Sequence, residues 1–363
     1  MAAVDWDKVL VLQTSFLGDL VLTLPLIAEI RQRFPVKSLS LMCTPLGKEL
    51  LQDHSAIDEI IVDDKKHLHR GWGGLLSQAA ALRQRGFSIA LTPHKSARTA
   101  YLLYRAQIPQ RVGFRQSKGW YLFHHRAERD PSRHDVQRNL SILEPFGVQP
   151  QDCVQRLELP VRPAVVAGVA ARLRDLGVKD GRPAIGVNPG SVWPTKRWWQ
   201  EGFAEFIGLA RASLDCQVLL FGAPEDGAVV QRLVELSGGA AIDLAGKFSL
   251  RELPAAIGQC QVFVTNDSGP MHIAVARQVP TVAIFCATTP DLGFYPYSNR
   301  AIVIQKPLAC RPCTSHGGRR CPLVHENCIR QIRPTAVLTA VQKLLAGQAR
   351  GEGDAHLPEF LAA

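Results

Sequence analysis

A chain of 363 residues with 46% apolar and 20% charged side chains can bury a core in each of two domains, which excludes disorder of the whole. No stretch approaches the roughly 20 uninterrupted apolar residues of a spanning helix, and the opening residues carry Asp5 and Asp7 rather than a basic start, so no secretory signal is read. The formal net charge of +10 favours an acidic partner, and nine cysteines without an export signal are expected as reduced thiols.

In chain order, strands are expected at 8–14, 38–44, 58–64, 88–94 and 110–114, with helical patterns at 19–34, 75–86 and 134–147 between and after them. A Pro-rich stretch at 149–163 breaks the rhythm and is the expected linker. A helical run at 164–178 follows, then strands at 184–190, 216–222, 240–246, 261–267 and 280–286. The alternation argues for α/β layering with parallel sheets in two similar domains, residues 1–160 and 161–333, facing across a cleft. A C-terminal helix at 334–347 and a disordered tail at 348–363 complete the expectation.

Between 94 and 138 lie Lys95, Arg98, Arg105, Arg111, Arg115, Lys118, Arg126, Arg129, Arg133 and Arg138, opposed within the segment by Glu128, Asp130 and Asp135 alone. Such a run is either a solvated face or a field for a phosphorylated lipid, a nucleic acid or an anionic membrane. The turn after the first strand has one glycine where a dinucleotide site has three, and no phosphate-loop motif occurs, which argues against nicotinamide chemistry and NTP hydrolysis.

Four motifs sit just beyond strands, where open α/β sheets bind ligands. In TSFLGDLVLTLP a turn at Gly18 presents Asp19 at a helix start, as a general base or as a simple complement to the helix dipole. In NPGSVWPTKRWW, Gly190 and Ser191 offer backbone N–H groups, Thr195 a hydroxyl and Lys196 a charge to a diphosphate. In LFGAPED, Glu225 or Asp226 is poised to accept from ribose hydroxyls. In VTNDSGPMHIAVA, Asp267, Ser268 and Gly269 open a helix, an anion site or an ordinary N-cap, with His272 one turn inside. Separately, Cys310, Cys313, Cys321 and Cys328 form a candidate structural zinc site.

Together with ATTPDLGFYPYS, these motifs resemble the successive signatures of the ADP-heptose:lipopolysaccharide heptosyltransferases, glycosyltransferase family 9, over nearly the whole chain to about residue 347. The run CRPCTSHGGRRCPLVHENC is similar to a segment of heptosyltransferase II members. The resemblance implies a GT-B fold of two Rossmann-like domains, with the acceptor on the first and the nucleotide sugar on the second. It implies Asp19 as catalytic base, Thr195 and Lys196 as the diphosphate-binding pair, Glu225 at the ribose, and Asp267, Ser268, Gly269 and His272 in the donor phosphate loop. ADP-heptose is then the donor and a phosphorylated Kdo-lipid A inner core the acceptor, met by Gly18, Lys95, Arg98, Arg115 and Lys118 in the cytoplasm or at the inner face of the membrane. No metal is required for catalysis, because the nucleoside diphosphate leaves as a stabilised anion and Lys196 answers its charge. The rival expectations are heptosyltransferase I or III, another nucleotide-sugar transferase, a 2-epimerase of the same fold, and a zinc-bearing nucleic-acid-binding protein; no nucleic acid is expected as partner.

Overall fold

The computed structural model describes residues 4–347 and 356–362. Two compact units meet in the chain at Pro160, spanning Met1–Pro160 and Val161–Ala363. In the first, strands β1 (Lys8–Leu12), β2 (Ser38–Cys43), β3 (Glu59–Val62), β4 (Ile89–Leu91), β5 (Gln110–Phe114) and β6 (His125–Ala127) form one sheet in the order β3-β2-β1-β4-β5-β6. Every pairing is parallel, with Val9 opposite both Leu39 and Ile89. A parallel sheet is covered on both faces, so its central strands must be apolar at successive positions. Val9, Leu10, Val11 and Leu12 accordingly have no exposed surface. Helix Gly71–Arg85 contributes Leu75, Ala79 and Leu82 to the core at helical spacing.

The second unit repeats the plan with β7 (Ala184–Asn188), β8 (Gln217–Leu220), β9 (Ala241–Asp243), β10 (Val262–Asn266), β11 (Thr281–Phe285), β12 (Ala301–Gln305) and β13 (Glu359–Ala362). Their order is β13-β12-β11-β10-β7-β8-β9, again all parallel. Helices Gln200–Ser213 and Pro334–Leu345 close one face, burying Phe203, Ile207 and Ala210 with Val337, Val341 and Leu344. In each unit the chain reverses direction across the sheet between two neighbouring strands, β1 and β4 in the first, β7 and β10 in the second. In open α/β sheets the loops beyond such a pair of strands diverge, and ligands bind between them.

Several expectations need correction. The helix expected over 19–34 is two helices, Leu17–Val21 and Leu24–Arg33. Pro25 has no N–H to offer the carbonyl of Val21, and its ring would collide with it. Gly18 is therefore a residue of a short helix, its carbonyl accepting from the Leu22 N–H at 3.0 Å, rather than a turn. The helix over 134–147 is α-helical only through Asp135–Leu140 and tightens into a 3₁₀ turn at Ser141–Phe146, which contains Pro145. Strands β6 and β12 were not expected. The disordered tail is also revised: residues 359–362 form β13, paired to β12 and held by Lys343 Nζ, which lies 2.7 Å and 2.6 Å from the two carboxylate oxygens of Glu359. Residues 348–355 and 363 lie outside the described residues.

Candidate active site

In the second unit the loops after β7 and β10 come together. Asn266, the last residue of β10, ties them: its Oδ1 accepts from the Trp198 N–H at 2.9 Å and its Nδ2 donates to the Pro189 carbonyl at 2.8 Å. Asn188 Nδ2 donates to the Gly190 carbonyl at 3.1 Å, and Arg197 Nε to the Ser191 carbonyl at 2.8 Å. Trp198 is buried against Phe203, with ring centroids 4.8 Å apart, and so fastens this loop to the core.

Lys196 ends the 3₁₀ turn Pro194–Lys196, and its Nζ lies 2.6 Å from Asp267 Oδ2. Both side chains are largely buried. Thr288 Oγ1 donates to the same carboxylate oxygen at 2.6 Å. Helix Gly269–Ala276 starts immediately beyond Asp267, with Ser268 at its N-cap in extended conformation. The Ser268 hydroxyl makes no capping bond and instead meets Thr265 Oγ1 at 3.3 Å, so the helix start retains its positive potential. His272 lies inside this helix, and burial pushes its imidazole down to about 4, with Lys196 lowering it further and Asp267 opposing. It is neutral at physiological pH, a hydrogen-bond donor or acceptor rather than a cation. Its Nδ1 is buried and has no partner among the described residues.

Two expected donor residues behave differently from their sequence reading. Thr195 is buried, and its hydroxyl oxygen accepts from the Gly318 N–H at 2.8 Å while its own N–H donates to the Gly318 carbonyl at 3.2 Å. The lack of a side chain at Gly190 accommodates Asp226, whose Oδ2 would lie 2.5 Å from a Cβ there. Asp226 also accepts from the Ala223 N–H at 3.1 Å, so it is a loop-forming residue. Glu225 is exposed beside it on the turn Pro224–Asp226, which separates the two carboxylates in role.

The cysteine-bearing segment serves the same loop. Gly317, at φ +89°, lies so close to Lys196 and Trp193 that a Cβ would meet Lys196 Cγ at 2.8 Å. Sequence reading missed Gly317, Gly318 and Thr288, because their proximity to Lys196 is created only by the fold. Cys310 Sγ faces His325 Nε2 at 3.9 Å, and Cys313 Sγ donates to the Cys310 carbonyl at 3.5 Å. Among the described residues no three His, Cys, Asp or Glu side chains are grouped to hold a metal ion. The four thiols of Cys310, Cys313, Cys321 and Cys328 are near enough to act on one another electrostatically, which adds to burial in pushing up the Cys313 and Cys328 thiols, and the segment packs against Lys196 and Thr195 through Gly317 and Gly318.

In the first unit Asp19 lies in helix Leu17–Val21 beyond β1, half-buried, with Oδ2 accepting from the Phe16 N–H at 3.3 Å. Near the ends of β1 and β4 is a second polar cluster that the sequence reading did not identify. Thr92 Oγ1 donates to the Leu12 carbonyl at 3.0 Å and accepts from the His94 N–H at 3.2 Å. His94 Nδ1 lies 3.1 Å from Thr99 Oγ1, and Lys65 Nζ donates to Thr14 Oγ1 at 2.5 Å. Burial, reinforced by Lys65, drives the His94 imidazole down to about 4.

Of the expected acceptor residues, Arg98 grips the buried Asp63 through both guanidinium nitrogens, at 2.6 Å and 3.2 Å. Arg115 pairs with Glu128 at 3.0 Å on the surface. The Lys118 N–H bonds the Lys95 carbonyl at 3.1 Å, which puts those residues side by side; burial, with Arg129 next, lowers the Lys95 ammonium. Asp63 and Glu144 enter from outside the basic segment to pair with Arg98 and Arg133. Arg129 and Arg138 both lie against Asp135. The field is thus weaker than the charge count within 94–138 implied.

Among the described residues no helix is long and apolar enough to cross a membrane. Lipooligosaccharide heptosyltransferase 2 of Campylobacter jejuni is 26% identical over 93% of this chain and 99% of its own. A glycosyltransferase of family 9 from Veillonella parvula superposes with a TM-score of 0.82 at 27% identity, covering 95% of this chain and 99% of that one. ADP-heptose lipopolysaccharide heptosyltransferase II of E. coli gives 0.77 at 25% identity, over 94% and 100%. The two parallel units are those of the GT-B heptosyltransferases. The model of glycosyltransferase family 9 (heptosyltransferase) matches residues 75–322, and the chain belongs to that family.

Proposed function

We propose that the chain transfers L-glycero-D-manno-heptose from ADP-heptose to the heptose-Kdo inner core of lipopolysaccharide, with inversion at the anomeric carbon. The observation that carries the reading is the group at the β7/β10 switch point: Lys196, the uncapped start of helix Gly269–Ala276, and a neutral buried His272 with an open ring nitrogen. That combination suits a diphosphate leaving group. The relatives named heptosyltransferase 2 supply the sugar and the acceptor.

In this reading Asp19 takes the proton from the acceptor hydroxyl as its oxygen bonds to the anomeric carbon. The bond from that carbon to the diphosphate oxygen breaks, and ADP departs with the electron pair. Lys196 and the helix amides stabilise the departing charge. Lys196 is held by Asp267 before donor arrives, so its ammonium is positioned in advance. Glu225 accepts from the ribose hydroxyls. Ser191, Ser268 and Gly269 line the diphosphate, Gly190 and Thr195 shape the loop that carries Ser191 and Lys196, and Gly18, Lys95, Arg98, Arg115 and Lys118 serve the acceptor. The enzyme works in the cytoplasm and needs no metal for catalysis, so transfer persists in a chelator.

The test is ADP release from ADP-heptose with Kdo-lipid A, or with the same acceptor already carrying one heptose. Release only with the heptose-bearing acceptor supports the reading. Release with the bare acceptor reassigns the enzyme to the first heptose addition, and donor binding without release to either overturns the acceptor.

A further inference from the structure

One face of the first unit has no role in the chemistry above and carries an unusual set of exposed side chains. Trp72 is 71% exposed, Tyr121 67%, Tyr104 47% and Trp120 46%. They form one strip. Gly119 is seated on helix Ala97–Arg105, where an added Cβ would lie 2.6 Å from Ala100 Cβ, and this docks the turn Trp120–Leu122 against the helix. Tyr104 follows Ala100 by one turn on the same side. The Arg111 guanidinium lies over the Tyr104 ring at 5.7 Å and donates to the Leu122 carbonyl at 2.9 Å, joining Tyr104 to the turn. On the other flank Trp72 meets Tyr101 edge-on at 5.6 Å, and Tyr101 lies 6.3 Å from Tyr104. Leu68 and Leu76, four residues before and after Trp72 in the chain, are exposed as well.

The sequence of this region is basic, although Arg85, Arg98 and Arg115 are paired with Glu59, Asp63 and Glu128 from outside it. Residues 65–127 contain twelve lysines and arginines and no Asp or Glu. Arg111 and Arg126 lie over Tyr104 and Trp120, the latter at 4.8 Å. Water-exposed aromatic and leucine side chains in a connected strip are costly on a monomer and mark a contact surface. Tyr and Trp beside Arg and Lys is the combination that suits the headgroup level of a bilayer, where the rings enter the interface and the cations meet phosphate.

We infer that this strip is a docking face for anionic phospholipid, which holds the first unit against a membrane surface. Lipid is favoured over polynucleotide by Leu68 and Leu76, which have no use in base stacking, and by rings packed edge to edge rather than displayed as a platform. The inference rests on the lipid-borne acceptor of the proposed function but uses none of its catalytic residues.

The test is flotation of the full chain with vesicles of phosphatidylcholine alone or with 30% phosphatidylglycerol, and with a single-stranded oligonucleotide as competitor. The expected result is at least tenfold more protein on the anionic vesicles. The doubly substituted Trp72→Ser/Tyr121→Ser chain should lose at least fivefold of that binding, with its thermal unfolding and its transfer to a lipid-free heptose-Kdo oligosaccharide unchanged. Leu68→Ser, at a side chain 78% exposed, is the second variant should the first misfold, with a two- to threefold loss expected. Equal binding to both vesicle types, binding insensitive to these substitutions, or displacement by oligonucleotide at lower concentration than by lipid would overturn it. Vesicle binding without sugar transfer would remove the proposed activity and leave the docking face standing; transfer to the lipid-free acceptor without vesicle binding would do the reverse.

Discussion

Lys196 and Asp267 neutralise each other across 2.6 Å in a site otherwise suited to an anion, so removing either partner has two effects. Lys196→Ala takes away the charge proposed to face the diphosphate and strands a buried carboxylate, which would then repel an anionic donor. A fall in kcat of at least 100-fold is expected, together with weaker ADP binding by calorimetry. Asp19→Asn should lower transfer by 10²- to 10⁴-fold, about the usual contribution of a general base, with ADP affinity within a few fold of wild type; lost ADP binding would reassign Asp19. At the neighbouring pair, Glu225→Ala should weaken ADP binding, whereas Asp226→Ala should lower the melting temperature, since only Asp226 caps the loop. His272 and His94 are both held near 4, below the ordinary imidazole value, so the unfolded chain binds more protons between pH 4 and 6.5. Their contribution to stability is complete above that window and lost as pH falls through it. Each imidazole contributes up to about 1.4 kcal/mol per pH unit, which urea titrations at pH 7.5 and 5.0 would read.

At the scale of elements, the segment that carries Gly317 and Gly318 decides how firmly Lys196 is held. A methyl at Gly317 meets Lys196 Cγ at 2.8 Å in a left-handed backbone that disfavours side chains. Gly317→Ala is therefore expected to raise the KM for donor several-fold by displacing Lys196, while the far surface of the unit is unaltered; an unchanged KM with a lowered melting temperature would show that the segment only stabilises. This packing was invisible to sequence reading, because Thr195 and Gly318 are distant in sequence and meet only in the fold. What was legible were the motifs directly after strands, since β-branched runs mark a buried strand's end and the ligand crevice lies beyond it. Asp19, Lys196, Asp267 and His272 were singled out in that way, and the last three lie together in the second unit. The cluster of Asp63, Lys65 and His94 escaped because its members come from different loops and form no local pattern. Pro25 and Pro145 were in plain view, but the apolar periodicity running through them outweighed their breaking effect. Edge strand β13 escaped for a different reason: four residues in a polar tail acquire strand structure only from pairing with β12.

For the whole molecule, two sheets with separate apolar clusters mean that each unit has its own source of cooperativity. The proposed donor residues Lys196, Asp267 and His272 all belong to the second unit, as does Glu225. ADP at 100 times its dissociation constant would stabilise that unit by about 2.7 kcal/mol. For a unit of this size the gain corresponds to a rise of roughly 5–10 °C in its melting temperature. Calorimetry should therefore resolve two transitions, of which ADP raises one. Hydrogen exchange would identify it, with added protection in peptides covering β7, β10 and helix Gly269–Ala276 and none in those covering β1 and β4. A single transition shifted as a whole would mean that the two cores unfold together. Protection confined to the first unit would instead move the nucleotide site to the β1/β4 switch point and take the diphosphate role from Lys196.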